Sequence, residues 1–161
     1  MEAIVYTSNT GYTREYAQLL NGILRLPVYE LGKGPEKGTS IIYLGWLKAG
    51  KIEGYKKAVQ QYEIQAVCAV GLADTGSQLA EVRKANSIPE EVALFTLQGG
   101  MDRAQLKGVN KFMINMLLKG MRSKKNKTED DERMLHLIET GGNYVSLDNL
   151  RDFLAWYKEN K

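Results

Sequence analysis

Residues 4–20 read IVYTSNTGYTREYAQLL: an apolar run, a burst of Thr, Ser, Asn and Gly, then residues at helical spacing. An apolar run that ends in a hydroxyl-rich turn and opens a helix is the start of a βα unit. In an open parallel sheet, ligands sit beyond the carboxyl ends of the strands, where the first strand passes into its helix. Thr7, Ser8, Thr10 and Thr13 put hydroxyls there around Gly11. The helix start turns backbone N–H groups and the positive end of its dipole toward the same point. Such a nest suits a phosphate. The loop has no lysine, whereas a nucleoside triphosphatase loop reads GxxxxGK followed by Ser or Thr and uses that lysine on the β and γ phosphates. Hydroxyls and amides alone suit a phosphomonoester that is held and not transferred. The same residue types would also serve as a Ser/Thr helix cap.

Further along the chain the alternation continues. Apolar runs at 3–7, 28–31, 40–45, 65–71 and 92–97 are separated by helical segments at 12–24, 51–62, 77–85, 103–121, 129–139 and 147–159. This is the pattern of an α/β domain with a parallel sheet. SIIYLG, AVCAVG and VALFTL are almost wholly apolar and not alternating, which suits strands covered on both faces and predicts that they are central. The 28–31 run poses a difficulty, because only Gly32 to Thr39 separate it from the next strand and a parallel crossover usually needs a dozen residues or more. It is either joined by a short irregular crossover or a weak edge piece.

At 161 residues the chain suits a single domain, 1–161, with a core that needs no disulfide or structural metal. No apolar window is long enough for a membrane span, and Met1 and Glu2 lead straight into a strand without a basic leader, so neither a transmembrane helix nor a secretory signal is expected. The lone Cys68 fits a reducing cytoplasm, and with a single His136 the chain lacks a zinc ligand set. Cys68, mid-strand, reads as a small buried hydrophobe, not the nucleophile of a phosphatase loop. His136 reads as structural or exposed. The acids that hold Mg²⁺ in response regulators are missing from the ends of the first and third strands.

The run Ser8, Asn9, Thr10, Gly11, Tyr12, Thr13 resembles the phosphate loop of flavodoxins, commonly Ser or Thr, x, Thr, Gly, x, Thr directly after the first strand. The resemblance implies a three-layer α/β/α flavodoxin-like open sheet of five parallel strands. It also implies FMN as cofactor, with Ser8, Asn9, Thr10, Gly11 and Thr13 on its phosphate and Tyr12 near the ligand. By the same resemblance, the second loop, GWLKAGKIEGY, would stack Trp46 on the flavin ring and turn Leu47, Lys48, Ala49 and Gly50 toward its N5 edge. Trp46 would equally suit a surface aromatic at a strand end. The third loop, VGLADTG, would bring Gly71, Leu72 and Ala73 to the crevice, but it lacks the aromatic many flavodoxins carry there, so one ring face is expected to stay open.

The formal charge is only +3, yet Arg103 to Lys127 holds eight basic residues and no acid, followed at once by Glu129, Asp130, Asp131 and Glu132. Leu106, Val109, Met113, Met116, Leu117 and Met121 fall at helical spacing within it. That combination suits a membrane interface, an anionic ligand or a partner protein, or else the last helix covering the sheet with a basic solvated face. QGGMDRAQLKGVNKFM and TEDDE resemble the flavodoxin-like domain of bacterial quinone-dependent protoporphyrinogen oxidases. That likeness implies an FMN oxidoreductase for a porphyrinogen-like or other anionic substrate with a quinone acceptor. The alternative is a non-enzymatic electron carrier that docks a redox partner protein. Peripheral contact with an anionic membrane at its inner face, through residues 103–127, is a further expectation. A near-neutral chain with no nucleic-acid motif predicts no nucleic-acid partner.

Overall fold

The computed structural model describes residues 1–161. In chain order its elements are β1 (Ala3–Tyr6), α1 (Tyr12–Leu24), β2 (Val28–Glu30), β3 (Ser40–Lys48), β4 (Lys51–Ile52), α2 (Tyr55–Gln61), β5 (Glu63–Gly71) and α3 (Leu79–Asn86). Then follow β6 (Ala93–Gln98), β7 (Gly100–Met101), α4 (Gly108–Ser123), α5 (Glu129–Thr140), β8 (Gly142–Asn143) and α6 (Arg151–Asn160). Five parallel strands lie in the order β2-β1-β3-β5-β6, and β4 folds back antiparallel on β3. The loops after β1 and β3 leave the sheet on opposite sides of the point where the strand order reverses, which opens a crevice at the carboxyl ends.

Period-two alternation divides the strands between two cores. Ala3, Val5, Ile41, Tyr43, Val67 and Ala69 face α2 and α3, where Tyr55, Ala58 and Val82 cover them. Ile4, Tyr6, Ile42, Leu44, Ala66, Cys68 and Val70 face α1 and α6, against Tyr16, Ala17, Leu20, Leu150 and Phe153. Both faces are therefore buried, as the unbroken apolar runs of β3 and β5 require. This is the three-layer, flavodoxin-like α/β/α arrangement expected. Burial also pushes the Cys68 thiol far above its ordinary range, so it is a core residue and not a nucleophile.

Three expectations need correction. VALFTL is not a central strand: β6 pairs only with β5 and forms an edge. An unbroken apolar run reports cover on two faces, and says nothing of whether a neighbour pairs on the open side. The segment 51–62 is not one helix. Lys51–Ile52 pairs with Leu47 and Lys48, and Gly54, at φ 77, breaks the chain before α2 begins. The segment 103–121 splits into a 3-10 turn at Arg103–Gln105 and α4 from Gly108. The 28–31 difficulty resolves as an edge strand of three residues, β2, which joins β3 without an intervening helix.

α4 does not cover the sheet. It packs on α5, and the pair builds a third core from Met101, Leu118, Leu137 and Ile138. This helical hairpin lies between β6 and α6, stitched at its base by β7 and β8, where Gly100 pairs with Asn143 and Met101 with Gly142.

Candidate functional site

The first loop is built so that its polar groups stay free. Thr7 belongs to the scaffold: its N–H donates to Leu44 O at 3.0 Å, and its hydroxyl donates to Glu53 O at 2.9 Å beside the Tyr43 phenol. Gly11 stands at the N-terminus of α1 with φ 100, and no side chain caps the helix. Beyond Thr7, the one loop hydroxyl engaged is Ser8 Oγ, which accepts from Gly11 N–H at 3.1 Å and curls the loop. The hydroxyls therefore do not serve as a Ser/Thr cap. The N–H groups of Tyr12 and Thr13 have no acceptor within the first helical turn. Thr13 is buried at 2% exposure and lines the cavity described next.

The second loop is a β-hairpin, because β3 runs on through Trp46, Leu47 and Lys48 before turning back into β4. Ala49 and Gly50 make the two-residue turn with φ 48 and 79, the left-handed pair that a type I′ hairpin needs. Asn86, at the end of α3, clamps it: its amide donates to Gly50 O at 2.9 Å and its carbonyl accepts from Ile52 N–H at 2.8 Å. An alanine in the left-handed region costs about 1 kcal/mol that asparagine largely avoids. Ala49→Asn is therefore expected to raise stability by about that amount in urea unfolding. A fall in the midpoint would show that the turn is not of this type.

The third loop leaves β5 at Gly71, where a Cβ would stand 2.9 Å from Leu47 Cδ1, so glycine lets the strand end close on the hairpin. After β6 the chain passes through Gly99 and Gly100 beneath Tyr12. A Cβ on Gly100 would lie 2.7 Å from the Tyr12 ring, so the ring packs on bare backbone. Burial first, and the Asp102 carboxylate next, raise the Tyr12 phenol and keep it neutral. Below it Tyr16 donates to Gln98 O at 2.5 Å and accepts from Asn149 at 2.7 Å, tying α1 to the root of the helical hairpin.

These loops and α4 enclose a cavity of about 310 Å³. The structure brings Ser8, Asn9, Thr10, Tyr12, Thr13, Trp46, Leu47, Lys48, Ala49, Gly71 and Leu72 together on its wall. Gly11 and Gly50 shape their turns without lining it. Ala73 faces a neighbouring depression between the third loop and α5, which the exposed His136 also lines. Sequence reasoning missed Val70, Gly99, Gly100, Met101, Leu106, Asn110, Met113, Ile114 and Leu117 as wall residues. The third loop has no aromatic, and α4 lines the crevice with Met113, Ile114 and Leu117. Lys48 is the only lining side chain with a fixed charge, and no carboxylate is present, so the cavity suits an anion.

The far end of the helical hairpin is pinned by charge. Thr128 and Asp131 form a reciprocal capping box at the start of α5, and Lys124 reaches the Asp131 carboxylate at 2.5 Å. The Lys124 hydrogen bond first, then the Thr128 N–H, hold Asp131 down to about 2. A carboxyl depressed on folding stabilises fully above its unfolded value of about 3.9, and that contribution is lost as pH falls through the folded value. The first turn of α5 is thus expected to be intact at neutral pH and to fray between about pH 4 and 2. Amide chemical shifts of residues 128–132 follow it, and an onset above pH 5 would rule Asp131 out as the cause.

Among curated proteins, the chain is 32% identical over 111 residues to a flavodoxin-like domain-containing protein, BilS, of Clostridium symbiosum (strain WAL-14163). The match takes in 63% of this chain and 53% of the relative, so the chain spans about half that protein's length. No family model and no solved structure matched. The similarity agrees with the strand order on a flavodoxin-like fold.

Proposed function

We propose that the protein binds FMN in this cavity and works as a redox protein. One observation carries the reading: a nest of free amides and hydroxyls, an indole and an apolar wall meet on one cavity that no carboxylate enters. In this reading Ser8, Asn9, Thr10 and Thr13, with the N–H groups at the start of α1, hold the phosphate. Trp46, Leu47, Met113 and Leu117 exclude water from the flavin ring, by flat contact from the indole and by adaptable packing from the thioether. FMN supplies the electron chemistry when bound. Lys48 adds the one positive charge on the wall, which stabilises an anion beside it. The relative described as flavodoxin-like supports the same cofactor class.

Within that reading the protein is an oxidoreductase for a porphyrinogen-like or other anionic substrate, with a quinone as acceptor. The support is Lys48 and the carboxylate-free wall. A second reading, a carrier that docks a redox partner protein, is favoured by a different observation. Apart from Lys48 and a phenol held neutral, the wall offers no group to give or take a proton.

The test is to add FMN to purified protein. Stoichiometric quenching of flavin fluorescence with a shifted visible spectrum is expected, and a preparation that stays colourless in excess FMN overturns the proposal. Turnover of a porphyrinogen with added quinone then selects the enzyme, and its absence in flavin-loaded protein selects the carrier.

A further inference from the structure

We propose that the outer ridge of α4 is a docking surface for an anionic lipid bilayer. Val109, Phe112 and Met116 stand 66%, 64% and 54% exposed, unusual for large apolar side chains in a protein with two filled cores. Their spacing puts them on one face of the helix, and Lys119 continues that face one turn on. Leu118, the residue of α4 buried against α5, lies about half a helical turn away from Val109, so α5 covers the opposite side. The ridge is therefore unpartnered, and Glu129, Asp130 and Glu132 at the start of α5 line the depression beside the third loop.

Charge selects the occupant. From Arg103 to Lys127 there is no acidic residue, and of the eight basic ones only Arg122 and Lys124 pair with a carboxylate, both on α5. Lys107, Lys111, Lys119 and Lys125 are exposed and free of ion pairs. A convex helix with phenylalanine, valine and methionine along its crest and lysines on its flanks matches an interfacial helix, with the apolar crest among the acyl chains and the ammonium groups at the lipid phosphates. Protein interfaces, in contrast, tend to be depleted in lysine. The ridge adjoins the cavity wall, since Met113 and Leu117 on the next strip of the same helix line the cavity. A bilayer seated here would bring the cavity close to the lipid surface.

Co-sedimentation of the whole chain with vesicles tests this. Binding to phosphatidylglycerol–phosphatidylcholine vesicles is expected, weakening steeply with salt, with little binding to phosphatidylcholine alone. Lys111→Gln with Lys119→Gln should weaken it about thirtyfold, at about fivefold per lysine. Phe112→Ser should weaken it roughly tenfold through lost apolar burial. None of these residues lines the cavity, so FMN affinity, measured alongside, should be unchanged. That separates failure of the surface from failure of the flavin site. No binding to anionic vesicles at low salt overturns the proposal, and so does binding that ignores all three substitutions. Retention on soluble polyglutamate without vesicle binding also overturns it, and would assign the ridge to an acidic protein.

Discussion

Thr10→Asp is expected to lower FMN affinity more than a hundredfold while changing riboflavin affinity only a few-fold. Thr10 lies in the loop between β1 and α1, on the cavity wall, where free N–H groups at the helix start give a local positive potential. A carboxylate there accepts those donors itself and faces the phosphate at short range. Two like unit charges about 4 Å apart near a protein surface repel by about 4 kcal/mol. Loss of one charge-assisted hydrogen bond adds about 1.5–3 kcal/mol. Riboflavin lacks the phosphate and escapes both effects, so the ratio of the two affinities isolates the loop from the ring pocket. Equal losses for both ligands would mean the substitution had deformed the cavity, and no loss for FMN would remove the phosphate from this loop.

Gly54→Ala should destabilise the whole fold by about 3 kcal/mol, the sum of about 1–2 for a left-handed alanine and about 1–3 for overpacking. Gly54 precedes α2 at φ 77, where the hairpin returns to the core. A Cβ there would stand 2.7 Å from both Leu31 Cδ2 and Thr7 Cγ2 and would collide with the Tyr43 phenol. That phenol donates to Glu53 O at 2.6 Å, and its side chain is fully buried in the core, so it has little room to give way. Urea unfolding measures the loss. A drop below about 1 kcal/mol would show that Leu31 and Thr7 yield and that the packing there is looser than the geometry implies.

The legible parts of this protein are those set by local period and turn chemistry. The strand, loop and helix of residues 3–24 are where the sequence puts them, because the apolar run, the glycine and the Tyr16, Ala17 and Leu20 spacing all act within a few residues. The hairpin after β3 was harder to see. Ala49–Gly50 lacks the Asn-Gly signature of its turn, and part of what holds it is Asn86, thirty-six residues beyond Gly50. The helical hairpin over the cavity is not legible in the sequence, where its first helix suits a membrane, ligand or partner surface and a cover for the sheet alike. Apolar spacing along α4 is the same whether the helix covers a sheet or another helix. What decides between them is the two-residue pairing of Gly100–Met101 with Gly142–Asn143, a contact made across the whole α4–α5 segment. The Gly-Gly pairs at 99–100 and 141–142 were its only trace in the sequence, and they are read as turns unless strand pairing is already suspected.

The small third core has a kinetic consequence. Four buried residues hold α4 and α5 together, against thirteen on each face of the sheet, and one short ribbon joins the two parts at their base. Cooperative units built from so little buried surface open at a lower free energy than the body they rest on. Amide protons should therefore exchange in two tiers, and the residence time of anything held in the cavity would follow the faster tier, so that release needs no melting of the sheet.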